Sequence, residues 1–251
     1  MEQLYLQIQQ DLLAIAKEHA SLQHKAWKQS QHKGINSYYI QEKYVKGLIR
    51  AYKERFKQLC AEQRFELTRM LYRSRNEEQA TVALALLVMN KRHILPTKYS
   101  FLSSCVQSFN SWASVDAFCI HIVHDLLVQY PEQTLKLITR WSMAKSPWKR
   151  RASMVAFTKA IGKSGNFIEE MLLVSQTLLD DPEELVKKAV GWALKDHLQA
   201  DRKRIIEYTI ALKRNGKSPV ITNYVMRYMN DREKQYIQEE IRAYEYKREN
   251  C

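Results

Sequence analysis

The sequence predicts an all-α fold, a HEAT-like helical-repeat solenoid of about six two-helix repeats. Three observations predict it. Gly (6) and Pro (5) are scarce among 251 residues, too few for the many tight turns of a sandwich or barrel. Nearly every segment carries apolar residues at helical spacing. Small polar residues suited to capping helices recur about every 36 positions.

In chain order, residues 1–30 place Leu4, Leu6, Ile8, Leu12, Leu13, Ile15 and Ala16 among Gln, Glu and Lys with no breaker. They form an N-terminal helical region. Residues 31–230 hold the repeats, with 41–72 and 203–214 patterned in the same helical way. Residues 231–251 close the chain, and the alternating charges of Asp231–Asn250 predict an exposed final helix. The whole, 1–251, reads as a single α-solenoid domain.

The repeat is measured by Ser37, Ser74, Ser111, Ser146, Asp181 and Ser218, at spacings of 37, 37, 35, 35 and 37. Pro147, Pro182 and Pro219 follow the last three. Ser or Asp at the N-cap accepts an orphan backbone N–H, and proline at the next position has no N–H to waste. Ser74-Arg75-Asn76-Glu77 and Asp181-Pro182-Glu183-Glu184 also match a capping box.

Eight residues after these caps stand Val45, Val82, Cys119, Met154, Ala189 and Met226. Eleven after stand Leu48, Ala85, Ile122, Phe157, Trp192 and Met229. All are apolar, and three-residue spacing puts both rows on one helical face. These rows are therefore expected to lie inside.

Equivalent positions of a solenoid line one wall. Five residues after the caps the row reads Glu42, Gln79, Asp116, Arg151, Val186 and Asn223; one residue after, it includes Tyr38, Arg75 and Trp112. Trp112 and Asp116 are four apart and share a face. These rows predict that an aromatic plate, a carboxylate and a guanidinium converge near the middle of the wall. An inter-repeat ion pair beside a packed tryptophan would fit the same rows.

With 40 Lys+Arg against 27 Asp+Glu, the net charge is +13, which favours polyanionic partners. Lys145, Lys149, Arg150, Arg151, Lys187, Lys188, Lys195, Arg202, Lys203, Arg204, Lys213, Arg214 and Lys217 crowd the C-terminal half. Several fall in the first turns of capped helices, where the dipole disfavours cations. Helix propensity does not explain them there, whereas a phosphate-binding edge does. The expected architecture thus includes a concave basic face that binds nucleic acid, DNA or RNA, although a merely solvated basic face would carry the same charges.

Other chemistries find little support. No G-x-G-x-x-G or G-x-x-x-x-G-K-[ST] occurs. Cys60, Cys105, Cys119 and Cys251 form no C-x-x-C pair, as expected of a reduced cytoplasmic protein. The longest apolar run, Val82–Met89, is too short to span a bilayer, and Met1-Glu2-Gln3 does not begin a signal peptide. No membrane association is expected, and a monomer is the default. His121 and His124, with Asp125, supply too few ligands for a metal from one face; neither metal nor cofactor is expected.

Several segments resemble AlkD-type DNA alkylation-repair glycosylases. Ser111-Trp112-Ala113-Ser114-Val115-Asp116 is similar to that family's Trp-x-x-x-Asp element. Trp141-Ser142 through Ser146-Pro147-Trp148-Lys149-Arg150-Arg151 resembles its W…S…W-x-R-R element. Lys187-Lys188-Ala189-Val190-Gly191-Trp192-Ala193-Leu194 resembles its basic-AxGW helix. Lys33-Gly34-Ile35, and Leu71-Tyr72-Arg73-Ser74 with Glu77-Glu78, are weaker likenesses. The resemblance covers roughly residues 30–230.

It implies a HEAT-like fold and a DNA-repair glycosylase that excises cationic N3- and N7-alkylpurines from duplex DNA without a deep base-flipping pocket. It assigns catalysis to Asp116, Trp112, Arg151 and Trp192, and DNA binding to Arg150, Lys149, Lys187, Lys188, Tyr38 and Trp148. Tyr38 or Tyr39 would supply an N-terminal aromatic contact. The row argument favours Arg151 over Arg150 as the cleft residue, and Trp192 stands either in the cleft or in the core. Two other readings are a non-catalytic HEAT-repeat relative that binds branched or distorted DNA, and a scaffold for an acidic protein.

Overall fold

A computed structural model describes residues 1–31 and 34–250. Lys33 of the Lys33-Gly34-Ile35 segment, and Cys251, lie outside the described residues. Two compact units divide the chain at Ile122/Val123. The first contains α1 (Glu2–His19), α2 (Leu22–Gln31), α3 (Glu42–Gln58), α4 (Ala61–Arg73), α5 (Glu77–Met89), α6 (Tyr99–Gln107) and α7 (Trp112–Phe118). A π-turn, Cys119–Val123, carries the chain onward. The second contains α8 (His124–Gln129), α9 (Pro131–Ser142), α10 (Pro147–Val155), α11 (Lys159–Ser164), α12 (Ile168–Gln176), α13 (Glu184–His197), α14 (Arg202–Arg214), α15 (Pro219–Met226) and α16 (Asp231–Glu249). No strand occurs among the described residues.

The fold is a helical solenoid. In the first unit α5 packs against both α3 and α7; in the second α13 packs against both α10 and α15. These are the helices that the repeat positions mark, and most of their aligned apolar positions are buried. Val45, Val82, Cys119, Met154 and Ala189 are buried in one row, and Leu48, Ile122, Phe157 and Met229 in the other. Phe56, Phe118 and Phe157 are fully enclosed, each worth roughly 1.5–3 kcal/mol by area removed from water.

Three members of the rows are only half-buried: Met226, Ala85 and Trp192. The buried stripe of α13 runs through Val186, Ala189, Val190, Ala193, Leu194 and His197. From Ala189 it advances by four residues to Ala193, which leaves Trp192 beside the core. In α5 the stripe likewise passes from Val82 to Leu86 and bypasses Ala85.

The six ruler residues divide into two kinds. Ser111, Ser146 and Ser218 are N-caps. Ser111 accepts the Ser114 N–H at 3.2 Å, while Ser146 and Ser218 are followed by proline at the first helical position. Ser37, Ser74 and Asp181 instead accept the N–H two residues on, from Tyr39 (2.9 Å), Asn76 (3.2 Å) and Glu183 (2.9 Å). This local turn competes with capping, so the helices begin two to four residues later than the ruler predicts. Asn76 caps α5, and neither predicted capping box forms. A capping box does join Asn230 and Glu233 at the start of α16.

The N-terminal region is built of two helices. Ala20 is extended, and Ser21 accepts the His24 N–H to start α2. An extended Leu59 similarly divides 41–72. The final helix is exposed along most of its length, with Ile237 buried.

Candidate active site

In the first unit, Ser111 sets the start of α7 and places Trp112 at its first position, half-buried. Asp116 follows one turn later and is only 8% exposed. The following π-turn sits within three residues of it, and such turns recur at functional sites because they re-aim side chains within a helix. Trp112 lines a pocket of about 40 Å³ with Trp27, Lys28, Ile35, Glu77 and Ala113. Trp27 is 55% exposed, a large aromatic left facing solvent beside the motif tryptophan.

Buried ion pairing of the adjacent Lys28 anchors the helix that carries Trp27. Lys28 Nζ lies 2.7 Å from both Glu77 Oε2 and Glu78 Oε1, and donates to Ser37 Oγ at 2.8 Å. Glu78 also accepts the backbone N–H groups of Tyr38 (2.8 Å) and Ile40 (3.3 Å). One carboxylate thereby fixes both α2 and the loop before α3, where Tyr39 takes a left-handed φ of 59°. Tyr38 is half-buried, and its hydroxyl accepts a bond from Gln79 Nε2 at 2.7 Å. Its ring therefore belongs to this support.

Beside these residues α3, α5 and α7 enclose an open groove of about 840 Å³. Val45, Ile49, Leu84, Val88 and Ala117 make its walls, and Lys46, Arg50 and Lys53 make a basic edge. Those cations follow i, i+4, i+7 spacing on α3. They lie apart from the basic cluster of the C-terminal half, and their helical spacing is the one signal of them in the sequence. Trp27 was missed because it stands outside the repeat frame.

In the second unit the two motif arginines have different surroundings. Arg150 makes a two-bonded pair with Asp181, Nε to Oδ2 at 2.5 Å and Nη2 to Oδ1 at 3.1 Å. Its Nη1 donates to the carbonyls of Ala144 (3.0 Å) and Lys145 (2.8 Å). Arg150 thus ties the start of α10 to the turn before α13. Arg151, 6% exposed, donates from Nη1 to the Leu185 carbonyl at 2.6 Å. Trp148 and Lys149 are half-exposed beside them.

On α13, Lys187 is half-exposed and Lys188 exposed, the latter paired with Glu184 at 2.7 Å. Trp192 is half-buried, with Lys159 Nζ 5.3 Å from its ring centre. It is neither a core residue nor an open plate: one of its faces carries a cation.

The metal ligands weighed in the sequence do not gather. His124 is buried with Nε2 3.0 Å from the Val155 carbonyl, while His121 faces the groove of the first unit. Among the described residues no group of three His, Cys, Asp or Glu side chains could hold a metal ion. Nor is any described helix long and apolar enough to cross a membrane.

No curated protein sequence matches the chain. A solved structure of a predicted DNA alkylation repair enzyme from Enterococcus faecalis is similar in fold, with a TM-score of 0.67 at 17% identity. The likeness covers 85% of this chain and 98% of that one. A family model described as DNA alkylation repair enzyme matches residues 8–229. The chain belongs to the DNA alkylation repair enzyme family.

Proposed function

We propose that the protein is a DNA glycosylase that removes cationic N3- and N7-alkylpurines from duplex DNA. The observation that carries this reading is the Trp112–Asp116 pair. A half-exposed indole and a nearly buried carboxylate stand one turn apart on α7, in a family of alkylation-repair enzymes.

The chemistry suits a carboxylate without a strong acid. Alkylation leaves the purine positively charged, so the bond from C1′ to the base breaks with its electron pair going to the base, which departs neutral. The sugar develops oxocarbenium character. Asp116 stabilises that cation, and a carboxylate out of bulk water does so more strongly than a solvated one. Water then adds at C1′ and loses its proton, leaving an abasic site. The leaving group carries its own activation, so the reaction requires neither metal nor cofactor.

Trp112 offers the cationic nucleotide a π-face. In the second unit, Arg151 takes a backbone phosphate and Trp192 contributes its ring. Lys149, Lys187, Lys188 and Trp148 complete the DNA contacts there. Arg150 acts through its pairing with Asp181, and Tyr38 through its bond to Gln79. Lys46, Arg50 and Lys53 give the first unit a phosphate-binding edge of its own. The enzyme works as a cytoplasmic monomer. Incubation with methylated duplex DNA tests the reading: free 7-methylguanine or 3-methyladenine should appear in excess over spontaneous loss. Tight binding without release would instead support a non-catalytic DNA binder.

A further inference from the structure

The second unit carries a ladder of aromatic rings and cations that runs on from Trp192, and Trp192 is the one member that the proposed glycosylase chemistry uses. Lys159 Nζ lies 5.3 Å from the centre of Trp192, Lys195 Nζ 5.0 Å from that of Tyr228, and Arg227 Cζ 4.9 Å from that of Tyr224. The two tyrosine rings stack at 6.3 Å. Trp192 and Lys195 are three residues apart on α13. Tyr224 of α15 seats against Gly191, where an added Cβ would stand 2.7 Å from the tyrosine Cβ.

The arrangement is built rather than incidental. Asp196, buried beneath it, accepts the Lys159 backbone N–H at 2.7 Å with one oxygen and pairs with Lys195 through the other. Lys159 is held at a φ of 55°, a left-handed backbone that is costly for a side-chain-bearing residue. One buried carboxylate thus positions two of the three cations. Tyr228, at the far end, is 54% exposed.

We infer that this face of α13 and α15 binds unpaired nucleotides of single-stranded DNA. Alternating π-faces and cations match the alternating bases and phosphates of a single strand. A duplex presents phosphates but keeps its bases stacked inside, leaving the rings unmatched. An acidic peptide presents carboxylates but no bases. A cation over a solvent-facing ring is held more weakly than a stacked base. An arriving base therefore displaces the cation, which then meets that nucleotide's phosphate. The inference rests on reading the chain as a DNA-acting protein and extends that reading to unpaired DNA.

The test measures binding of the full chain to a dye-labelled short oligothymidylate and to an undamaged duplex of equal length. Wild type is compared with Tyr228→Ala and Tyr228→Phe, and circular dichroism confirms that each variant is folded. Tyr228→Ala should weaken single-strand binding about tenfold, as loss of one stacking platform does. Tyr228→Phe should bind like wild type, and duplex binding should not change. Wild-type single-strand affinity in Tyr228→Ala would overturn the inference. So would equal losses on strand and duplex, or competition by polyglutamate as effective as by unlabelled strand. Base release from methylated duplex is measured on the same preparations. Failure of the glycosylase reading then appears as wild type without release, whatever the single strand does.

Discussion

Lys28 and Glu78 are joined at 2.7 Å, with side chains 10% and 2% exposed, and their contact fastens α2 to α5. Removing one partner of a buried pair leaves the other charge uncompensated and costs about 3–5 kcal/mol. Lys28→Met should therefore destabilise the first unit by about that amount. Because Glu78 also holds the loop before α3, Glu78→Gln should loosen that loop as well. Hydrogen exchange of residues 36–41 in the two variants checks this: protection should fall in both, more in Glu78→Gln.

Arg150 and Arg151 are adjacent in sequence but should separate in experiment. Four hydrogen bonds engage Arg150 within the protein, so Arg150→Ala should lower thermal stability. Arg151 is assigned to a phosphate, so Arg151→Ala should weaken binding to damaged duplex. It should also reduce the slope of log K against log salt by about 0.9, one lost phosphate contact. Salt titrations of both variants distinguish them. An unchanged slope in Arg151→Ala would remove it from the contacts.

Gly191 has no room for a side chain. A Cβ there would meet Tyr224 Cβ at 2.7 Å and the Ile221 carbonyl at 3.1 Å. Overpacking of this kind costs about 1–3 kcal/mol, against a helix-propensity gain of about 1 kcal/mol for Gly→Ala. The first effect wins because the contacts are at the base of a side chain and at backbone. Gly191→Ala should lower Tm by a few degrees, read by calorimetry.

His197 gives the second unit an acid sensitivity. Burial pushes its imidazole below the ordinary value of 6.5, outweighing the Ala193 carbonyl bond and the Asp196 charge, which both raise it. Its Nδ1 donates to that carbonyl at 2.8 Å, while Nε2 is buried with no hydrogen-bond partner. An added proton on Nε2 would find no acceptor. The unfolded chain then binds more protons than the folded one below about pH 6.5, so stability falls as pH drops through the folded pKa. Denaturant midpoints from pH 7 to pH 5 should fall in wild type, and less steeply in His197→Gln.

The repeat was legible because solenoid packing imposes one apolar stripe on every equivalent helix. Val45, Val82, Cys119, Met154 and Ala189 follow it regardless of how each helix begins. The beginnings were less legible, since serine or aspartate can cap a helix or close a turn two residues on. Ser111 does the first and Asp181 the second. Trp192 was misplaced among interior positions because a three-residue step drifts off the stripe where the core takes a four-residue step. The Trp112–Asp116 spacing needed only a helix to bring the two onto one face. Trp27, by contrast, lines one pocket with Trp112 and stands next to Lys28, whose long-range ion pairs leave no periodic trace in sequence.

The most direct test of the account is Asp116→Asn. Amide and carboxylate are nearly the same size, so the substitution removes charge while keeping shape. Release of 7-methylguanine is followed in single-turnover reactions on methylated duplex, with binding to the same duplex measured in parallel. The account predicts that release falls to the spontaneous rate while duplex affinity is retained. Wild-type release by Asp116→Asn would contradict the role given to this carboxylate and the mechanism built upon it.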